Sequence, residues 1–107
     1  MTTATKTLPG MTAEQEHEHA ALLGRIEEQR EQVPCVDGPN AGDWVTDEQH
    51  TQATAARACR ACPLLVPCRA YAIRHAETGG VWGGLLPTQI TAQARHYRAA
   101  LDEDRRP

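Results

Sequence analysis

Four cysteines, Cys35, Cys59, Cys62 and Cys68, stand in the pattern C-x23-C-x2-C-x5-C and constrain this chain more than any other feature. A chain of 107 residues forms one small domain at most, with little area to bury. Aromatic residues are 4% of it, phenylalanine is absent, and alanine makes up much of the 40% that is hydrophobic. A core of Ala, Leu and Val would be thin at this size, so a cross-link is expected to staple it. The N-terminal stretch MTTATKTLPGMTAEQE lacks the apolar run of a signal peptide, and no segment reaches membrane-spanning length. The expected location is cytoplasmic, where four cysteines more often bind metal than form structural disulfides.

Cys59 and Cys62, in the turn CRACP, can place two thiolates on one centre, and Pro63 keeps the preceding helix from continuing. Cys68 falls in the first turns of the next helix, where partial positive charge favours a thiolate. Cys35 comes from a distant segment and would clip it onto the other helices. Three chemistries fit. Zinc takes four thiolates tetrahedrally, but zinc ribbons show two C-x-x-C knuckles and this chain has one. An iron–sulfur cluster also takes four, and its larger size suits uneven spacing. A redox dithiol at Cys59 and Cys62 would expect a βαβ context, which is missing. Spacing leaves cluster and zinc both open.

Periodicity predicts an all-α class with four helices and no strand. Thr12 and Gln15 make a capping box for a helix over residues 12–33, with Glu14, Glu16 and Glu18 at its positive end. Pro34 should stop it. A second helix is predicted from Thr46, capped with Gln49, to Cys59. A third runs from Leu65 to Thr78 and is closed by Gly79 and Gly80. A fourth runs from Pro87 to Leu101. Residues 1–11 read as a disordered leader, 12–101 as the domain with its core at 35–84, and 102–107 as a flexible tail.

Net charge is −3 overall, made of −3 over residues 1–34, −1 over 35–84 and +1 over 85–107. No segment carries a dense basic patch, which argues against autonomous tight DNA binding. No nucleophile with a paired base, phosphate loop or acid pair is present, so the chain is read as a non-enzyme. His17, His19, His50, His75 and His96 read as lone surface histidines. Tyr71, three residues after Cys68, is placed on the same helical face, near the thiols. Arg60 either donates to the sulfurs or is solvated. The stretch TGGVWGGLLP, Thr78–Pro87, surrounds Trp82 with glycines. Tryptophan in such a turn is expected at the surface, as an interface hot spot, although it could instead cover the thiol centre.

Taken together, Cys35, CRACPLLVPC and GVWGG (Gly80–Gly84) resemble the WhiB-like family of actinobacteria and their phages over about residues 33–100. The resemblance implies a [4Fe–4S] cluster on the four cysteines that is sensitive to oxygen and nitric oxide, with disulfide formation in the cluster-free form. It also implies transcription regulation through region 4 of the primary sigma factor, as monomer or heterodimer with sigma. On that likeness Gly80, Val81, Trp82, Gly83 and Gly84 would face sigma, as would Trp44 in the segment after the first cysteine, which reads equally as a core residue. Family members that bind DNA follow the turn with a Lys/Arg run. Here four arginines are diluted by acids, which implies weak DNA contact at most, from Arg95, Arg98, Arg105 and Arg106. The readings that compete with this one are a zinc-stapled adaptor with no sensing role and a thiol–disulfide reductase of the apo form.

Overall fold

The computed structural model describes residues 11–37, 41–77 and 79–105. They form five α-helices, α1 Ala13–Glu28, α2 Pro34–Asp37, α3 Gln49–Ala58, α4 Leu65–His75 and α5 Pro87–Asp104. Short 3-10 turns cover Arg30–Gln32, Ala41–Val45 and Cys59–Ala61. Among the described residues the class is all-α, as predicted. The leader assigned to 1–11 lies, apart from Met11, outside them.

Helix α1 begins where its cap predicts. The Thr12 hydroxyl accepts from the Gln15 N–H at 3.0 Å. The return half of the box is not made, because the Gln15 amide donates to the Tyr71 hydroxyl and to Glu77, each at 3.2 Å. The helix ends at Glu28, earlier than predicted, and a 3-10 turn carries the chain to Val33, which is 2% exposed. Pro34 then opens α2 instead of a loop, since its missing N–H is no loss at a first helical position.

Helix α3 starts three residues later than predicted, at Gln49. Glu48 caps it by accepting from the N–H groups of Thr51 at 2.6 Å and His50 at 3.2 Å. Thr46 is one step further out and accepts from the Glu48 N–H. A carboxylate two residues on out-competes the threonine, being charged and aimed at the helix's positive end.

Helix α4 ends at His75, and its left-handed closing residue is Ala76 (φ 52°, ψ 50°), not a glycine. The Glu77 N–H reaches back to the Ala72 carbonyl at 3.0 Å, so the closure is complete before Gly79 and Gly80. At the other end of the turn, Pro87 opens α5 as predicted, with the Gln89 side chain accepting from the Leu86 N–H at 2.9 Å. The helix passes Leu101 and continues to Asp104.

The glycine turn between α4 and α5 is a two-residue hairpin. Trp82 and Leu85 exchange N–H···O bonds at 2.9 and 3.2 Å, and Gly83 and Gly84 both take positive φ, as the tight hairpin geometry requires. Val81 enters one apolar cluster with Trp44, Ala55 and Cys59. Leu85 enters a second with Ala72 and Ile90. The turn thereby joins both halves of the core. Gly83 sits against α4 so closely that a Cβ there would lie 2.4 Å from the Arg69 backbone nitrogen. The Arg69 guanidinium fastens the contact by donating to the Gly83 carbonyl at 2.9 Å.

Helix α1 is held on α4 by buried Leu22 and by Glu18, whose carboxylate accepts from Arg74 and meets His75 Nε2, each at 2.6 Å. The His75 bond, with help from Arg74 and against a burial penalty, holds the Glu18 carboxyl below its usual range.

Two outcomes follow from this packing. Gly83→Ala should lower stability by about 3 kcal/mol in denaturant unfolding, combining left-handed strain and overpacking. Gly79→Ala, with nothing within 4 Å, should stay within about 0.5 kcal/mol. A depressed carboxyl contributes stability above its unfolded value that is lost as pH falls through its folded value. Stability should therefore drop on acidification below the ordinary carboxylate range, and Glu18→Gln should remove about 1 kcal/mol at most of that dependence.

Candidate metal centre and docking turn

The four cysteines predicted as one set do face one cavity, of about 40 Å³. Each is brought by a different local device. Cys35 rides in the single turn of α2 behind Pro34. Cys59 opens the 3-10 turn that ends α3. Cys62 leaves that turn in extended geometry (φ −78°, ψ 132°), the conformation that a following proline imposes. Cys68 lies one turn into α4. All four are free cysteines. The remaining walls include Ile26, Val33, Trp44, Leu64, Leu65 and Val81, and no carboxylate or imidazole lines the space.

This donor set is soft and carries no oxygen ligand, which disfavours hard cations such as calcium or magnesium. Among the described residues, no three His, Cys, Asp or Glu side chains converge tightly enough to hold a single metal ion. All four thiols line the one space of about 40 Å³. Burial, more than any neighbour, pushes the Cys68 thiol up to about 12 and raises Cys35 and Cys62 as well. The lowering expected at the start of the helix is thus not seen for Cys68: burial raises its thiol, and the hydrogen bond from Gly83 opposes that rise. Thiols become good ligands when the incoming group brings positive charge and displaces their protons.

Several sequence-derived placements change. Trp44, predicted to face a partner, is 8% exposed and closes the thiol cavity, donating from its indole N–H to Cys59 Sγ at 3.2 Å. Its neighbour Val45 is 78% exposed. Val81 and Gly83 are buried and also line the cavity, so neither is displayed. Gly80 and Gly84 are partly exposed. Trp82 is half-buried and does not line the thiol cavity. Its indole N–H is tied to the Gly79 carbonyl at 2.7 Å, and its ring packs 5.4 Å from Tyr71. The idea that one face of this ring shields the thiols is therefore corrected: Val81 and Trp44 do that.

Tyr71 likewise turns away from the thiols. It meets His19, His75 and Trp82, and its hydroxyl bonds with Gln15 and Glu77. Three residues along a helix leave a side chain about 60° from the starting one, enough here to reach α1 instead of the cavity. His75, 10% exposed and bonded to Glu18, is no lone surface histidine, and His19 packs on Tyr71. His17, His50, His96 and Arg60 are exposed. So are Arg95, Arg98 and Arg105 on and after α5, while Arg106 lies outside the described residues.

The sequence reading missed Arg69, which locks the turn to α4, and Val45, whose neighbour drew the attention. An open groove beside the turn is lined by Val45, Thr46, Gln52, Gly80, Leu86 and Thr88, among others. No pattern of residues flags it, since it forms only when α3, the turn and the start of α5 meet. Among the described residues no helix is long and apolar enough to cross a membrane.

Comparison with known proteins agrees with the arrangement. The family described as Transcription factor WhiB matches residues 28–97, a span that holds all four cysteines and the whole turn. A redox-responsive transcriptional regulator, WhiB3 of Mycolicibacterium smegmatis (strain ATCC 700084 / mc(2)155), is 45% identical over 31 residues, covering 29% of this chain and 32% of that protein. The match thus spans about a third of that relative's length. No solved structure matches the chain. Four thiols around one cavity, a glycine–tryptophan turn fastened beside them and a family match across both lead to one conclusion: the chain belongs to the WhiB family of transcription factors.

Proposed function

We propose that Cys35, Cys59, Cys62 and Cys68 hold a [4Fe–4S] cluster and that the loaded chain regulates transcription by docking on region 4 of the primary sigma factor. The observation that carries the reading is the placement of four thiols, one buried and three half-buried, around one apolar cavity whose wall includes Val81 and Gly83 of the turn. A group held there touches the core and the docking turn at once. The uneven cysteine spacing, with one C-x-x-C knuckle where zinc ribbons show two, favours a cluster over a single zinc ion. When bound, the cluster supplies positive charge to the four sulfurs and a centre that oxygen or nitric oxide can attack. The protein's own part is to exclude water with Trp44, Leu64 and Val81, and to hold the turn in register through Arg69.

The docking surface is assigned to the exposed edge of Trp82, with Gly80 and Gly84, and to the adjoining groove with Val45. Trp44, Val81 and Gly83 support that surface from beneath instead of touching the partner. Arg95, Arg98, Arg105 and Arg106 are assigned weak DNA contact within the sigma complex. The chain acts in the cytoplasm as a monomer or as a heterodimer with sigma, with no catalytic step. Its proposed domain runs over residues 12–101.

Anaerobically purified protein should be brown and carry iron and sulfide in near-equal amounts, and nitric oxide should bleach it. Colourless protein with one zinc would contradict the cluster. Capture by immobilised sigma region 4 should fall at least about tenfold for Trp82→Ala and for Val45→Asp, since anchors at the centre of an interface carry most of its energy. Undiminished capture by both would remove this surface from the interface.

A further inference from the structure

Trp44 is bonded in two directions. Its side chain donates from Nε1 to Cys59 Sγ at 3.2 Å. Its backbone carbonyl accepts from the Val81 N–H at 2.8 Å. The same carbonyl oxygen lies 2.6 Å from where a Cβ on Gly80 would stand, so the turn can approach only because residue 80 is glycine. The residue is buried and sits in a single 3-10 turn, Ala41–Val45, whose short length links indole and carbonyl. One residue thus touches a sulfur of the thiol set and the backbone of the docking turn.

We infer that Trp44 is a positioning residue that couples the sulfur of Cys59 to the Gly80–Gly84 turn, tuning the cluster with its indole N–H and registering the cluster's state in the turn through its carbonyl. The inference rests on the cluster reading above and adds a route from that centre to the surface. A neutral thiol is a weak acceptor, whereas a liganding thiolate makes a charge-assisted hydrogen bond. The bond from Nε1 is therefore strongest when Cys59 is a ligand. Once Cys59 is no longer a ligand, the buried N–H keeps only the weaker bond to an uncharged sulfur. The restraint on Trp44 then loosens, and with it the hold of its carbonyl on Val81. A donor to a cluster sulfur also favours the more negative, reduced state and raises the reduction potential. Phenylalanine in this position would keep most of the ring and the backbone bond to Val81 but could donate nothing to Cys59.

The test uses the full chain, purified without oxygen, with iron and sulfide measured first. Trp44→Phe should keep wild-type iron and sulfide but show a more negative midpoint potential in a dithionite titration. Hydrogen exchange over residues 79–85 should rise when the wild-type cluster is removed, and this rise should shrink in Trp44→Phe. Gly80→Ala, which places a methyl against the Trp44 carbonyl and lines no part of the thiol cavity, should also move the midpoint. That second variant tests the route from the turn inward even if Trp44→Phe loads poorly. Unchanged midpoints in both variants, or exchange over 79–85 that ignores cluster removal, would overturn the coupling. Wild-type protein lacking iron and sulfide would overturn the cluster reading and this inference with it, an outcome read before either variant is made.

Discussion

Four sulfurs gathered around one small apolar cavity are the constraint on which the rest of this structure depends. Burial, helped by the neighbouring cysteines, pushes the Cys68 thiol up to about 12 and raises Cys35 and Cys62. Such groups contribute little while they are protonated and unliganded, because they neither fill space like leucine nor bond like a hydroxyl. Around them the apolar core is meagre: its fully buried large side chains are Leu64, Ile90 and Val33 among the described residues. A metal-containing group in this cavity would turn the weakest part of the core into its strongest, joining α2, the end of α3 and the start of α4. The thin composition and the cysteine spacing are two aspects of one design.

The turn is where that centre meets the surface. It is held by backbone fit rather than by side-chain bulk: Gly80 lies against the Trp44 carbonyl and Gly83 against the Arg69 backbone. These glycines let the chain pass close enough to α4 and to the segment after the first cysteine for Val81 to line the thiol cavity. Trp82 is then carried outward on a rigid support, restrained by the Gly79 carbonyl and by Tyr71. Helix α1 reaches the same tyrosine from the other side through Gln15. Trp82, the N-terminal helix and the thiol cavity are therefore linked through α4 and the turn.

Local signals were legible where local chemistry decides the outcome. Thr12 caps α1, Pro87 opens α5, and the spacing of Cys35, Cys59, Cys62 and Cys68 brings them around one cavity. The failures share a cause. Glu48 displaces Thr46 as the cap of α3 because two competent caps stand two residues apart, and their competition depends on charge and aim. Ala76, not Gly79, closes α4 in a left-handed conformation that propensity disfavours, with its N–H and that of Glu77 bonded back to the helix. The Glu18–Arg74–His75 contact joins residues more than fifty positions apart, and no periodicity announces it. Trp44 shows the sharpest limit. Exposed and buried tryptophans look alike in a sequence, and only the position of Cys59 reveals that this one has an acceptor waiting inside.

If a bound cluster is the centre of this core, the stability of the domain must depend on it. Urea unfolding followed by circular dichroism, without oxygen, on the cluster-loaded chain and on the same chain stripped by a chelator, tests this most directly. The account predicts a clear fall in the midpoint on stripping, with a broader transition as the helices around the four cysteines lose their common anchor. Superimposable curves for the loaded and stripped chains would show that the apolar clusters alone sustain the fold, and would contradict the claim.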